Sequence, residues 1–145
     1  MDTLALNVPI LFGDNGNCHK FTVRGWSAPD NPVRTWTDGH VAELEFKSGL
    51  LKRDPMLRIE AVPFLAEPEL RYQDINIFLN GLWLNYVRAT NHIVVDTRIP
   101  RAYLSSQRNL LSFTIPRATC PKIEGWNEDE RLLGFAFLRI ELLDS

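Results

Sequence analysis

The chain has 145 residues, enough for one domain spanning 1–145 with a sizeable core and no need of a disulfide or a metal to hold it together. Hydrophobic residues make up 45% and charged residues 23%, which excludes wholesale disorder. Sixteen basic and 18 acidic residues leave a net charge of −2, which argues against a nucleic-acid partner held by phosphate neutralisation and against a polybasic membrane anchor.

The N-terminus, Met1 to Pro9, lacks the charged start and apolar block of a signal peptide, and no stretch reaches the roughly 18 apolar residues of a membrane span. A cytoplasmic protein without membrane insertion is expected. Cys18 and Cys120 form no CxxC pair, so two free thiols are the expectation in a reducing compartment.

From the N-terminus onward the dominant signal is a period of two, the mark of strands with one buried face. Leu4, Leu6, Val8, Ile10 and Phe12 alternate with their neighbours, then Phe21 and Val23 after the loop Gly13 to Asn17. Ala42, Leu44 and Phe46 follow, with Glu43 and Glu45 on the other face, and then Leu57, Ile59 and Ala61. Gln73 to Leu79 and Leu82 to Arg88 flank Asn80-Gly81, the strongest two-residue hairpin signal. A regular register across that turn sets Leu79 against Leu82, Phe78 against Trp83, Ile77 against Leu84 and Asn76 against Asn85. One face then carries Ile75, Ile77, Leu79, Leu82, Leu84 and Tyr86 toward the core, and the other presents Asn76, Phe78, Trp83 and Asn85. Pro100 to Ser105 is the best short-helix candidate. Leu111, Phe113 and Ile115 precede a polar stretch, Thr119 to Arg131, that contains Trp126. The last strand places Gly134, Ala136, Leu138, Ile140 and Leu142 on its inner face. The expected fold is all-β, an antiparallel sandwich of jelly-roll type with about eight to ten strands.

Catalytic patterns are missing. His19, His40 and His92 have no ligand spacing, there is no GxSxG, and Gly13-Asp14-Asn15-Gly16 is no phosphate loop. Glu43 and Glu45 are neighbours on one strand, which reads as a solvated face rather than the two carboxyls of a glycosidase. No enzyme activity, metal or cofactor is therefore expected. Four tryptophans offer aromatic surface, the kind that stacks on the apolar faces of sugar rings while amides and carboxylates take the hydroxyls. Trp83 with Phe78, Asn76 and Asn85 forms one candidate surface. Trp26, Arg34, Trp36 and Asp38 form another, interleaved in a Pro-containing loop, although they also read as a structural corner.

Gly25-Trp26-Ser27-Ala28-Pro29-Asp30, then Arg34-Thr35-Trp36-Thr37-Asp38-Gly39 and the strand Val41 to Phe46 resemble a GWSxPE…RWTxGxxAxLxF pattern. That pattern is similar to β-sandwich accessory domains of bacterial surface-polysaccharide glycosyltransferases and phosphoglycerol transferases. Leu57 to Phe64, Asp74 to Leu84, Leu110 to Ile115 and Arg131 to Gly134 fit its later strands, while Asp30 stands where the pattern has Glu. The resemblance implies a non-catalytic carbohydrate-recognition or accessory module of polysaccharide biosynthesis, with a glycan or a glycosyltransferase as partner. A structural sandwich that self-associates as a homo-oligomer, or docks onto a glycosyltransferase, is the alternative.

Overall fold

A computed structural model describes residues 1–144 as ten strands: β1 (Ile10–Leu11), β2 (Thr22–Arg24), β3 (Thr35–Asp38), β4 (Val41–Phe46), β5 (Met56–Pro63), β6 (Gln73–Leu79), β7 (Leu82–Ala89), β8 (Ile93–Arg98), β9 (Asn109–Thr114) and β10 (Leu133–Leu143). They form two five-stranded sheets. One runs β1-β10-β5-β8, with β3 also paired to β10, and the other runs β2-β4-β9-β6-β7. Every pairing of these strands is antiparallel. The helix candidate is a single 3-10 turn, Arg101–Tyr103. The fold is the jelly-roll-type β-sandwich that the alternation implied.

The inner faces meet in one apolar cluster. Ala42, Leu44 and Phe46 of β4, Leu57, Ile59 and Ala61 of β5, and Ile75, Ile77 and Leu79 of β6 are all buried in it, each at a period of two. Phe113, Phe135 and Phe137 fill the space between the sheets. Each large side chain fully removed from water contributes about 1.5–3 kcal/mol, so this cluster is what holds the sheets together.

Three bulges overturn parts of the simple alternation, because one extra residue flips every later side chain to the other face. In β2, Thr22 pairs with Leu44 and Arg24 with Glu43, so Val23 is the unpaired residue and lies half exposed rather than inward. In β10, Phe137 pairs with Ala61 and Arg139 with Glu60, which leaves Leu138 over. The core side therefore passes from Phe135 and Phe137 to Ile140 and Leu142, and the expected inner face holds only beyond Leu138. In β7 the unpaired residue is Leu84.

The N-terminal segment also departs from expectation. Asn7 has φ of 64° and interrupts the run, so only Ile10–Leu11 is strand and Val8 is exposed. Strands β3 and β8, which the sequence reading left unassigned, complete the first of the two sheets, β3 on β10 and β8 on β5. Cys18 and Cys120 are both buried free thiols. Asn80 and Gly81 have φ of 51° and 80°, the pair of positive values that a type I′ turn requires. Gly25, with φ of 83°, is required for a second reason: a Cβ there would lie 2.0 Å from the Val41 carbonyl oxygen.

Candidate functional site

The outer face of β6 and β7 carries the first candidate surface. Gln73, Ile75, Ile77 and Leu79 point inward, so Asp74, Asn76 and Phe78 point out. Phe78 faces Trp83 as the regular register requires, but the bulge at Leu84 then sets Ile77 against Asn85, Asn76 against Tyr86 and Asp74 against Arg88. Asn85 is thereby turned off the outer face, and its Nδ2 donates to Thr97 Oγ1 of the opposite sheet at 3.0 Å. Tyr86, expected in the core, takes its place outside. Leu82 is likewise exposed rather than buried.

Two aromatic rings result, 56% exposed at Trp83 and 43% at Tyr86. Each is tied at its polar end to β6. Trp83 Nε1 donates to Asn76 Oδ1 at 3.2 Å, and the Tyr86 hydroxyl donates to Asp74. These bonds draw the rings across the sheet and limit their rotamers, so the surface is organised before any ligand arrives. Burial alone would push the Asp74 carboxyl up, but the hydrogen bonds from Tyr86 and Arg88 and the charges of Arg88 and Arg117 hold it below its ordinary value. The same bond raises the Tyr86 phenol above its ordinary value.

The face continues across β9 and β4. Ser112 lies opposite Phe78 and donates to Glu43 Oε2 at 3.2 Å. Glu43 also accepts from Arg24, chiefly through which its carboxyl is held low. Glu45 pairs with Arg108. Each carboxylate thus has its own arginine, and the two do not form the converging acid and base of glycoside hydrolysis. Among the described residues no three His, Cys, Asp or Glu side chains gather to hold a metal ion.

The second candidate surface divides. Trp26 packs on Phe12 and Phe137 at centroid distances of 5.2 and 5.0 Å, and its Nε1 donates to the Glu43 carbonyl. It belongs to the core periphery and leaves the candidate site. Asp38 Oδ1 accepts the Leu132 N–H at 2.9 Å, which fixes the start of β10. Trp36 behaves differently. Thr35 and Thr37 of β3 are buried inward, so the Trp36 ring lies on the other side, half-buried, with the Arg34 guanidinium 5.6 Å from its centroid.

Trp36 lines an open cleft of about 420 Å³ together with Phe64, Trp126, Asn127, Asp129 and Arg131. Phe64 meets both tryptophans edge-on, at 6.3 Å from Trp36 and 5.9 Å from Trp126. Trp126 is 58% exposed. The Arg131 guanidinium bonds Asp129 and reaches Asp30, and this pins the loop beside the cleft. Sequence reasoning placed Trp126 in the polar stretch Thr119 to Arg131, but nothing in its spacing named Trp36 and Phe64 as its neighbours.

No family model matches the sequence, and no curated protein matches it significantly. Solved structures do match in fold. The chain is similar to a family 6 carbohydrate-binding module studied for its binding subsites, at a TM-score of 0.56 and 7% identity, over 100% of this chain and 99% of that one. It is also similar to a family 6 module from Clostridium stercorarium in complex with cellobiose, at a TM-score of 0.52 and 8% identity, covering 99% of this chain and 98% of the other. At these identities the likeness establishes the β-sandwich architecture.

Proposed function

We propose that the protein is a non-catalytic carbohydrate-recognition module, one β-sandwich domain over its full length, and that it holds a glycan on the outer face of β6 and β7. The observation that carries this reading is the pair of exposed rings, Trp83 and Tyr86, each anchored to the next strand by its polar end. An exposed ring anchored at its polar end offers a surface for the apolar face of a pyranose, and Phe78 lies opposite Trp83 on the same face. Asn76, Asp74 and Ser112 beside it supply amide, carboxylate and hydroxyl groups for sugar hydroxyls. The similarity in fold to modules crystallised as carbohydrate binders supports the reading, as does the individual pairing of Glu43 and Glu45 with arginines.

From the resemblance carried by the run Gly25 to Phe46 we further propose that the module serves bacterial polysaccharide assembly beside a glycosyltransferase. Calorimetry on the purified chain against a panel of oligosaccharides tests the reading. Binding is expected, with at least a tenfold loss in Trp83→Ala, roughly what one stacked ring contributes, and an unchanged melting temperature. Absence of binding by the wild type, or equal binding by the variant, overturns it.

A second reading rests on the cleft between Trp36 and Trp126, where Arg34 and Trp36 meet an exposed indole. There the same calorimetry shows the loss in Trp126→Ala and leaves Trp83→Ala unaffected.

A further inference from the structure

Beside the Trp83 and Tyr86 rings two guanidiniums share a single carboxylate. Tyr72, just before β6, has two guanidiniums over its ring, with Arg88 Cζ at 3.8 Å and Arg117 Cζ at 4.3 Å from the centroid. Arg88 Nε donates to Asp74 Oδ1 at 3.0 Å. Arg117, from the turn after β9, donates to none of the described residues, and its Nε is buried without an acceptor. Two cations therefore share one carboxylate, and that carboxylate also receives the Tyr86 hydroxyl. The quadrupole of Tyr72 attracts a guanidinium but accepts none of its in-plane N–H groups.

The position of these charges matters as much as their shared partner. Arg88 follows Trp83 and Tyr86 on the outward side of β7, opposite Asp74, as they are opposite Phe78 and Asn76. The three side chains span about 15 Å along the strand, so one extended ligand can touch them all. Elsewhere on the face the charges cancel, Arg24 with Glu43 and Arg108 with Glu45, whereas Arg88 and Arg117 have only Asp74 between them. A guanidinium fork suits a carboxylate or phosphate, which it takes through two parallel hydrogen bonds.

We propose that the saccharide bound on this face is anionic, with its charged group held by Arg117 and Arg88 and its neighbouring sugar rings stacked on Tyr86 and Trp83. The proposal rests on the reading of that face as a glycan platform and names the class of glycan.

Calorimetry on the full chain with three probes of equal length tests it: a neutral oligosaccharide, an oligogalacturonide and a phosphate-bearing oligosaccharide. The anionic probes are expected to bind at least about tenfold tighter than the neutral one at low salt, with the preference shrinking as salt is added. The stronger of the two identifies the source of the charge as carboxylate or phosphate. Arg117→Gln removes the preference and leaves neutral binding in place, whereas Trp83→Ala weakens all three. Should the glutamine variant fail to fold, Arg117→Lys serves, and there the preference drops severalfold because the fork is lost. Equal affinity for neutral and anionic probes, or a preference that survives the change at Arg117, overturns the anionic assignment alone. Failure of every probe to bind overturns the platform with it.

Discussion

Asn85 donates to Thr97 across the gap between the two sheets, 3.0 Å from Nδ2 to Oγ1, and it does so because Leu84 is the unpaired residue of a bulge. One inserted position exchanges the places of Asn85 and Tyr86. The amide goes inside to tie β7 to β8, and the phenol goes outside to lie beside Trp83. The make-up of the outer face thus follows from a defect in the ladder of β6 and β7.

This relationship predicts opposite behaviour for adjacent residues. Asn85→Ala is expected to destabilise the fold by about 1 kcal/mol, the net worth of one hydrogen bond, and to leave saccharide binding unchanged. Tyr86→Ala is expected to weaken binding with little change in stability. Denaturant midpoints and calorimetry on the two variants check both statements, and the reverse pattern would restore the regular register.

The turn that starts the hairpin has its own signature. Gly81 has φ of 80° and open space around it, so a side chain there meets no neighbour and only the backbone objects. Gly81→Val is expected to cost about 1 kcal/mol or more, because a β-branched residue resists positive φ. A urea midpoint equal to that of the wild type would count against the type I′ turn.

The tryptophans should separate by burial. Trp26 packs between Phe12 and Phe137, and its truncation is expected to cost about 3 kcal/mol or more. Trp126 touches Phe64 but is mostly in water, and its loss is expected to cost about 1 kcal/mol. Thermal melts of Trp26→Ala and Trp126→Ala measure the difference, and equal losses would contradict the packing described.

The Tyr86–Asp74 bond gives a pH signature at both ends of the scale. Asp74 has a depressed folded pKa, so its contribution is present above the ordinary carboxylate range and is lost as pH falls through the folded value. Tyr86 has a raised folded pKa, so its contribution is present below the ordinary tyrosine range and is lost as pH rises through the folded value. Ultraviolet difference titration of the wild type against Tyr86→Phe is expected to show a phenol that ionises late. Asp74→Asn should return it to the ordinary range, and no change on that substitution would remove the bond from the account.

By itself the sequence determined the central strands of the sandwich, though not β3 and β8. The alternation in Ala42 to Phe46, Leu57 to Ala61 and Ile75 to Leu79 needs only a buried face, and each of these runs is buried as written. It also determined the tight turn at Asn80-Gly81, because positive φ at both positions calls for such residues wherever they stand. Faces were legible only up to a bulge. Val23, Leu84 and Leu138 are each unpaired because of the register of a partner strand, and a period of two carries no mark of where a partner slips. Tertiary structure alone decided the surfaces. Trp36 and Trp126 share a cleft, and Arg88 and Arg117 share the ring of Tyr72, because strands distant in sequence lie side by side. Local periodicity records what each strand buries, but not which distant side chains the packing of two sheets brings to one place.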